Sequence, residues 1–335
     1  MLLKQINIHY QEANIITDFE LHIQSGEIFV LMGPSGSGKT TLLKGIAGLV
    51  PIASGEQCWE NGTGTVGMVF QEPRLFPHLT VLENISFGLR VQGVPRKERT
   101  VQAGEFLKIL QLDGLEDRYP HQLSGGQQQR VSLGRTLILK PDLLLLDEPF
   151  ASLDTPLRLE LIDWLYHFQR ENQFSIIWVT HFLDEAFSVA DRIGIMIEGS
   201  LKQAGRPAEL YQQPSSEKIA SFLSLPNRLT REQWQKCFQC DLSTLPTKER
   251  GWIPANGLQL IDKQLLPEIS KEEKLLGFIS GIVIKIIPGN DGFSVIVKSD
   301  DCLLEINSIE WNSIPELNEE VYIKIPFERI IWYHQ

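Results

Sequence analysis

Gly33-Pro34-Ser35-Gly36-Ser37-Gly38-Lys39-Thr40 constrains this chain more than any other stretch. Before it, Ile28-Phe29-Val30-Leu31-Met32 is a continuous apolar run that reads as a buried strand. After it, Leu42, Leu43, Ile46 and Ala47 form an apolar stripe at helical spacing that stops at Gly48. Glycines at 33, 36 and 38 let the backbone fold around an anion without Cβ clashes, with successive N–H groups pointing inward. The loop opens a helix whose positive end faces the same charge. Lys39 supplies a point charge for β- and γ-phosphates, and the Thr40 hydroxyl is placed for Mg²⁺. A Gly/Ser-rich surface turn has no need of this strand and this helix.

Leu143 to Leu146 is a second buried strand, ending in Asp147-Glu148. Ligands of open α/β sheets bind at the carboxyl edge of their strands, so both carboxylates are expected there. Asp147 is expected to hold Mg²⁺, directly or through water. Glu148 is the better candidate to orient or activate an attacking water, a role typically worth about 10²–10⁴ in rate.

Leu123-Ser124-Gly125-Gly126-Gln127 precedes a third helix. Ser124 is expected to be its N-cap, leaving the N–H groups of Gly125, Gly126 and Gln127 as free donors. This is a second anion-binding helix terminus, and one chain hardly needs two for one nucleotide. The economical solution is that it completes the pocket of a neighbouring copy, with ATP between them.

With these three pieces in the chain order 33–40, 123–127 and 143–148, residues 1 to about 225 resemble the nucleotide-binding subunit of an ATP-binding cassette (ABC) transporter. The resemblance extends to Gln71 in Val69-Phe70-Gln71-Glu72 as a Q-loop, Ser152-Leu153-Asp154 as a D-loop and His181 in Val179-Thr180-His181 as a switch histidine. It implies an α/β P-loop NTPase fold with a helical subdomain at about 72–135. It implies catalytic roles for Glu148, His181 and Gln71, and Mg²⁺ held by Thr40, Gln71 and Asp147. ATP would lie on Tyr10, Gly33, Pro34, Ser35, Gly36, Ser37, Gly38, Lys39, Thr40 and Thr41 of one copy. Ser124, Gly125, Gly126, Gln127 and Asp154 of the other would close over it. Tyr10 stands where an adenine-stacking aromatic is expected, although an aromatic in an edge strand is common for packing alone. Phe182 follows His181 where the family often has a polar residue, and the interval from Ser54 to Gln71 is shorter than in many members.

Elsewhere, residues 80–118 read as mostly helical with a break near Gly93-Val94-Pro95, and 126–140 as a helix closed by Pro141. A helix with Leu157, Leu161, Trp164, Leu165 and Phe168 on one face lies between Leu143–Leu146 and a strand at Ser175–Val179. Such alternation implies a mainly parallel sheet covered on both sides. The character changes near Pro226, where short alternating strands at 282–287, 293–297, 303–306 and 321–325 predict a small all-β, barrel-type domain over 226–335. A chain of 335 residues accommodates two such domains. The domain resembles the TOBE-type (OB-like) domain of importers for oxyanions, ferric iron, polyamines and sugars. Its expected role is structural or dimerising, with binding of a small regulatory ligand as the alternative.

A net charge of −11 argues against nucleic acid as a partner. No apolar run approaches the roughly 18 residues of a membrane span, and the first residues do not read as a secretion signal. The expected location is the cytoplasmic face of the plasma membrane, held there by a partner. Cys237 and Cys240 have the spacing of half a zinc site with no second pair to complete it, so ordinary reduced thiols are expected.

Exporters often fuse the cassette to transmembrane helices, chromosome-maintenance ABC proteins insert long coiled coils, and ABC translation factors usually carry two cassettes. None of these fits here, whereas Arg74 to Ile85 resembles the corresponding part of bacterial importer ATPases. The implied partners are a second copy, two membrane permease subunits and, indirectly, an external solute-binding protein. A soluble ABC switch or remodelling factor is the alternative. Phe76, Pro77, Leu79 and Leu82 are expected to be exposed and to line the permease-docking groove. The solute is not readable, although the 224–229 join resembles molybdate- or tungstate-type importers and the ferric-iron group matches nearly as well.

Overall fold

Nine residues of β1 (Leu2–Tyr10) begin the chain. The computed structural model describes residues 1–10, 13–59, 62–238, 250–261, 278–289, 292–299, 302–309, 314–325 and 330–333. β1 pairs antiparallel with β2 (Ala13–His22), whose buried positions alternate as in a half-buried sheet. In β3 (Ile28–Met32) every side chain is buried. That is the signature of a parallel strand covered on both faces, as the unbroken apolar run predicts. It passes through the glycine loop into α1 (Lys39–Ile46). β4 (Ser54–Cys58) returns to the free edge of β1, and β5 (Val66–Val69) begins the far side of the main sheet.

The helical region follows. Thr80 starts α2 (Val81–Ile85) with a capping box, its hydroxyl accepting from Glu83 N–H and the Glu83 carboxylate accepting from Thr80 N–H. α3 (Phe87–Val91) and α4 (Arg96–Ile109) are separated by the break that Gly93 and Pro95 predict; Gly93 has φ 81°. α5 (Gly125–Leu137) then leads back to β6 (Leu143–Asp147), also buried throughout. α6 (Thr155–Asn172), β7 (Ser175–Val179), α7 (Leu183–Val189), β8 (Arg192–Ile197) and β9 (Ser200–Gly205) complete the layers. The main sheet has the order β5-β6-β7-β3-β8-β9, parallel except for β9. The carboxyl ends of β5, β6, β7 and β3 are therefore neighbours. Gln71, Asp147-Glu148, His181 and the glycine loop all follow those four ends.

Packing divides the chain into Met1–Leu210 and Tyr211–Gln335, earlier than the 225/226 join read from composition. After α8 (Pro207–Gln212), α9 (Glu217–Phe222) belongs with the second unit, where Glu217 pairs with Arg250 at 2.9 Å. Its strands and remaining helix are β10 (Arg228–Thr230), α10 (Arg231–Phe238), β11 (Arg250–Trp252), β12 (Gln259–Ile261), β13 (Phe278–Gly289), β14 (Gly292–Ser299), β15 (Cys302–Ile309), β16 (Glu320–Lys324) and β17 (Ile331–Tyr333). They form two antiparallel sheets, β10-β11-β17 and β12-β16-β13-β14-β15. Val283, Val295, Val297, Leu304 and Ile323 fill its core together with Trp234 of α10. Asn227 is buried and bonds the Glu305 backbone both ways, at 2.8 Å to the carbonyl and 2.6 Å from the amide. Cys240 and the side chain of Cys237 lie outside the described residues, as do positions 290 and 291 of the turn between β13 and β14. Among the described residues, no helix is long and apolar enough to cross a membrane.

Candidate functional site

At its two ends the glycine loop leaves no room for side chains, and a Cβ on Gly38 would come within 2.7 Å of Ile16. A Cβ on Gly33 would lie 2.0 Å from the Met196 carbonyl oxygen, and its φ is 153°. Gly36 has φ 80° with nothing within 4 Å of where a Cβ would be, so its backbone faces open space. Pro34 and Ser35 are exposed between them, and Ser37 is buried. Lys39 Nζ donates to the carbonyls of Gly33 at 2.8 Å and Pro34 at 3.0 Å, and lies 3.3 Å from Ser37 Oγ. Burial lowers the Lys39 ammonium from its ordinary value, against the opposing charges of Glu148 and Asp147. A cation held by carbonyls in a partly dry loop favours an arriving polyphosphate, which offers it full negative charge.

In the first turn of α1, Thr40 Oγ1 donates to Asp147 Oδ1 at 2.9 Å. Thr41 follows on the same helix, half-buried. Burial raises the Asp147 carboxyl; the Thr40 bond and the charges of Lys44 and Lys39 oppose this, and Glu148 adds to it. A hydroxyl and a buried carboxylate are hard oxygen donors that suit Mg²⁺. The ion would also supply the positive charge that burial of Asp147 calls for. Gln71, the third expected ligand, donates from Nε2 to Glu148 Oε2 at 3.4 Å, which turns its amide toward the same cluster.

Glu148 is the strained residue. Its φ is 47°, in the left-handed region, while its N–H is held by the Val179 carbonyl at 3.0 Å. The kink places its carboxylate between two loops: Oε2 lies 3.3 Å from His181 Nδ1 on one side and near Gln71 on the other. A sequence pattern of Asp-Glu at a strand end carries no sign of this backbone turn.

At α5, Ser124 is the N-cap, as expected, but through a full capping box. Gln127 N–H donates to Ser124 Oγ at 3.3 Å, and Gln127 Oε1 accepts from Ser124 N–H at 3.0 Å. Gln127 is thus not the free donor that the sequence suggested, and Gly125 and Gly126 carry that expectation. A Cβ at Gly126 would come within 2.8 Å of Leu153, whereas one at Gly125 meets nothing within 4 Å. Asp154 likewise has a local task, capping α6 by accepting from Leu157 N–H at 3.0 Å. Tyr10 ends β1 opposite Ala13, and its side chain lies outside what the structure describes.

The segment on both sides of Gln71 is tied to α5 by residues that the sequence did not single out. Gln129 Nε2 donates to the Phe70 carbonyl at 3.0 Å. Arg135 donates to the carbonyls of Arg74 at 2.9 Å and Pro73 at 3.2 Å. Asn84, fully buried, donates to the carbonyls of Phe76, Leu79 and Thr80 and accepts from Phe76 N–H at 2.9 Å. Leu79, in the backbone turn that Asn84 holds, is 8% exposed and does not present itself to a partner as expected. Phe76 and Leu82 are half-buried and Pro77 is exposed. Beside them, a cleft of about 630 Å³ is lined by Phe70, Arg74, Phe76, Phe87, Arg135 and Leu139 among others.

Comparison with known proteins follows the same lines. The family model described as ABC transporter matches residues 16–151. The sulfate/thiosulfate import ATP-binding protein CysA of Halalkalibacterium halodurans is 41% identical over 261 residues, covering 74% of this chain and 72% of that protein. The Fe(3+) ions import ATP-binding protein FbpC of Fusobacterium nucleatum is 42% identical over 335 positions, covering 96% and 90%. Among solved structures, the dimeric post-hydrolysis state of the ATP-binding cassette MJ0796 bound to ADP and Pi superposes with a TM-score of 0.57 at 31% identity, covering 62% of this chain and 98% of that one.

Proposed function

This chain belongs to the ABC transporter family and is an ATPase of the import type; on that premise we propose that two copies close face to face over two ATP molecules to drive a membrane permease. The observation that carries the reading is Gly125. It sits exposed at the N-terminus of a capped helix, and outside its own helix nothing among the described residues comes within 4 Å of a Cβ there. At a helix N-terminus with exposed N–H donors, this glycine leaves room for a second surface to come close. A γ-phosphate held on the partner's glycine loop meets that description.

In this mechanism the amides of the glycine loop and Lys39 bind the phosphates of one ATP. Thr40 and Asp147 would hold Mg²⁺, which neutralises charge on the phosphates and the leaving group. Ser124, Gly125 and Gly126 of the second copy complete the cradle. Glu148, kinked toward His181 and Gln71, orients the attacking water and accepts its proton, and His181 holds the γ-phosphate and Glu148 in register. Positioning of this kind, with proton acceptance worth about 10²–10⁴, supplies the rate without covalent chemistry by the protein. Gln71 reports the state of the site outward. Its loop is fastened to α5 by Gln129 and Arg135, so movement of α5 toward a second copy shifts the walls of the adjacent cleft. We place the permease contact in that cleft, with the chain peripheral on the cytoplasmic face and an external binding protein delivering the solute.

The relatives named above import sulfate or thiosulfate and ferric iron, and we propose a small inorganic ion of those classes as the cargo. The second unit we read as a TOBE-type domain with a structural or dimerising role. Purification of the tagged chain from a detergent extract of its native cells tests the transport reading. Recovery of two integral membrane subunits, with ATP turnover that rises when loaded binding protein is added, is expected. Recovery of the ATPase with soluble proteins alone contradicts it and favours a remodelling factor.

A further inference from the structure

Two buried polar atoms on neighbouring helices face each other without a hydrogen bond. Arg158 Nε, in the first turn of α6, lies 3.5 Å from Glu185 Oε1 on α7, and neither atom has a hydrogen-bond partner among the described residues. The rest of both side chains is held. Glu185 Oε2 accepts from Thr180 Oγ1 at 2.6 Å, and the Thr180 oxygen accepts from Phe182 N–H at 3.1 Å. The Arg158 guanidinium lies over the Phe182 ring, 4.2 Å from its centroid. On that ring rests His181, with centroids 4.0 Å apart. His181 is thus gripped on one side by this stack while its Nδ1 faces Glu148 on the other.

The grip is specific to an arginine. A planar guanidinium covers an aromatic face while its edge meets a carboxylate, which an ammonium cannot do at once. A buried ion pair with imperfect geometry contributes little to stability by itself. Burial raises the Glu185 carboxyl from its ordinary value, so the pair is not retained because Glu185 is comfortable there. What the arrangement does supply is orientation. Phe182 is the residue that follows the histidine, and here an aromatic ring at that position gives the arginine something to lie on.

We propose that Arg158, clamped between Phe182 and Glu185, is a positioning residue for hydrolysis. It fixes the turn that carries His181 and connects it to the start of α6 that Asp154 caps. The inference rests on the reading above that His181 and Glu148 act together on the attacking water. Arg158→Lys and Phe182→Leu are its two probes, made in the full chain and assayed for steady-state ATP turnover, ATP affinity and thermal unfolding. Each is expected to lower kcat about 10- to 100-fold, the scale of a small misplacement of a reacting group, with KM for ATP within about threefold. Added to His181→Ala, Arg158→Lys is expected to cost less than about twofold more, because both act through one group. Should Arg158→Lys fail to fold, Phe182→Leu decides. A kcat unchanged in the folded variants, a loss confined to KM, or losses that multiply with His181→Ala overturn the inference. If His181→Ala itself turns over at the unmodified rate, the underlying reading has failed instead.

Discussion

His181 Nδ1 lies 3.3 Å from Glu148 Oε2, and the same oxygen is 3.4 Å from Gln71 Nε2. One carboxylate oxygen is therefore shared by two loops that follow different strands. Replacing it with an amide keeps the shape and removes the proton acceptor. Glu148→Gln is expected to bind ATP with nearly unchanged affinity and to lose about 10²–10⁴ in turnover, leaving a closed dimer visible by size-exclusion chromatography with ATP. Retained turnover in single-cycle measurements would remove Glu148 from the mechanism.

Asp147 gives a stability prediction with a definite sign. Burial raises its carboxyl, so the folded chain holds that proton more tightly than the unfolded chain does. Ionisation then costs stability at pH above the folded-state pKa. The cost shrinks as pH falls through that value and is gone below the unfolded one. Asp147→Asn is expected to raise Tm at pH 7 in nucleotide-free, Mg²⁺-free buffer by about 2–4 °C for each ~1 kcal/mol relieved, with the gain fading toward pH 4. The same variant is expected to lose the Mg²⁺-dependent part of ATP binding. Calorimetric melts across pH, with and without MgATP, check both halves.

Two glycines separate folding from function. Gly33→Ala would push a Cβ to 2.0 Å from the Met196 carbonyl oxygen and is expected to destabilise by more than about 2 kcal/mol. Gly125→Ala meets nothing and is expected to change stability by less than about 0.5 kcal/mol. It is nevertheless expected to lower turnover severalfold by crowding the approach of a second copy. Urea unfolding alongside ATPase assays distinguishes the two; equal destabilisation would contradict the geometry.

The tether between α5 and the loop after Gln71 is open to a structural probe. Arg135→Gln removes the bonds to the Pro73 and Arg74 carbonyls and is expected to cost about 1–3 kcal/mol. Hydrogen exchange is expected to rise across 71–77 with ATP affinity unchanged. Exchange that stays at the unmodified level would show that Gln129 and Asn84 suffice.

The parts legible in the sequence are those written as local pattern. Unbroken apolar runs announced β3 and β6, helical stripes announced α1 and α6, and the shift to period two announced the sheets of the second unit. The clustering of Gln71, Asp147, Glu148 and His181 follows once β5, β6, β7 and β3 are neighbours. Tertiary satisfaction of polar groups was not legible. Asn84 is buried to serve three backbone carbonyls of the turn that holds the buried Leu79, and Gln127 spends its amide on Ser124 in a capping box. The left-handed turn at Glu148 answers to the Val179 carbonyl, a partner on another strand.

The central claim is that each reaction centre is built from two chains. Mixing two separately inactive variants tests it most directly. Lys39→Ala spoils the phosphate loop and Gly125→Trp spoils the helix terminus, so neither homodimer holds an intact centre. A mixed dimer joins the sound loop of one to the sound terminus of the other. Turnover of the mixture well above the sum of its parts is the predicted result; turnover at that sum, or full activity of monomeric Gly125→Trp alone, would contradict the account.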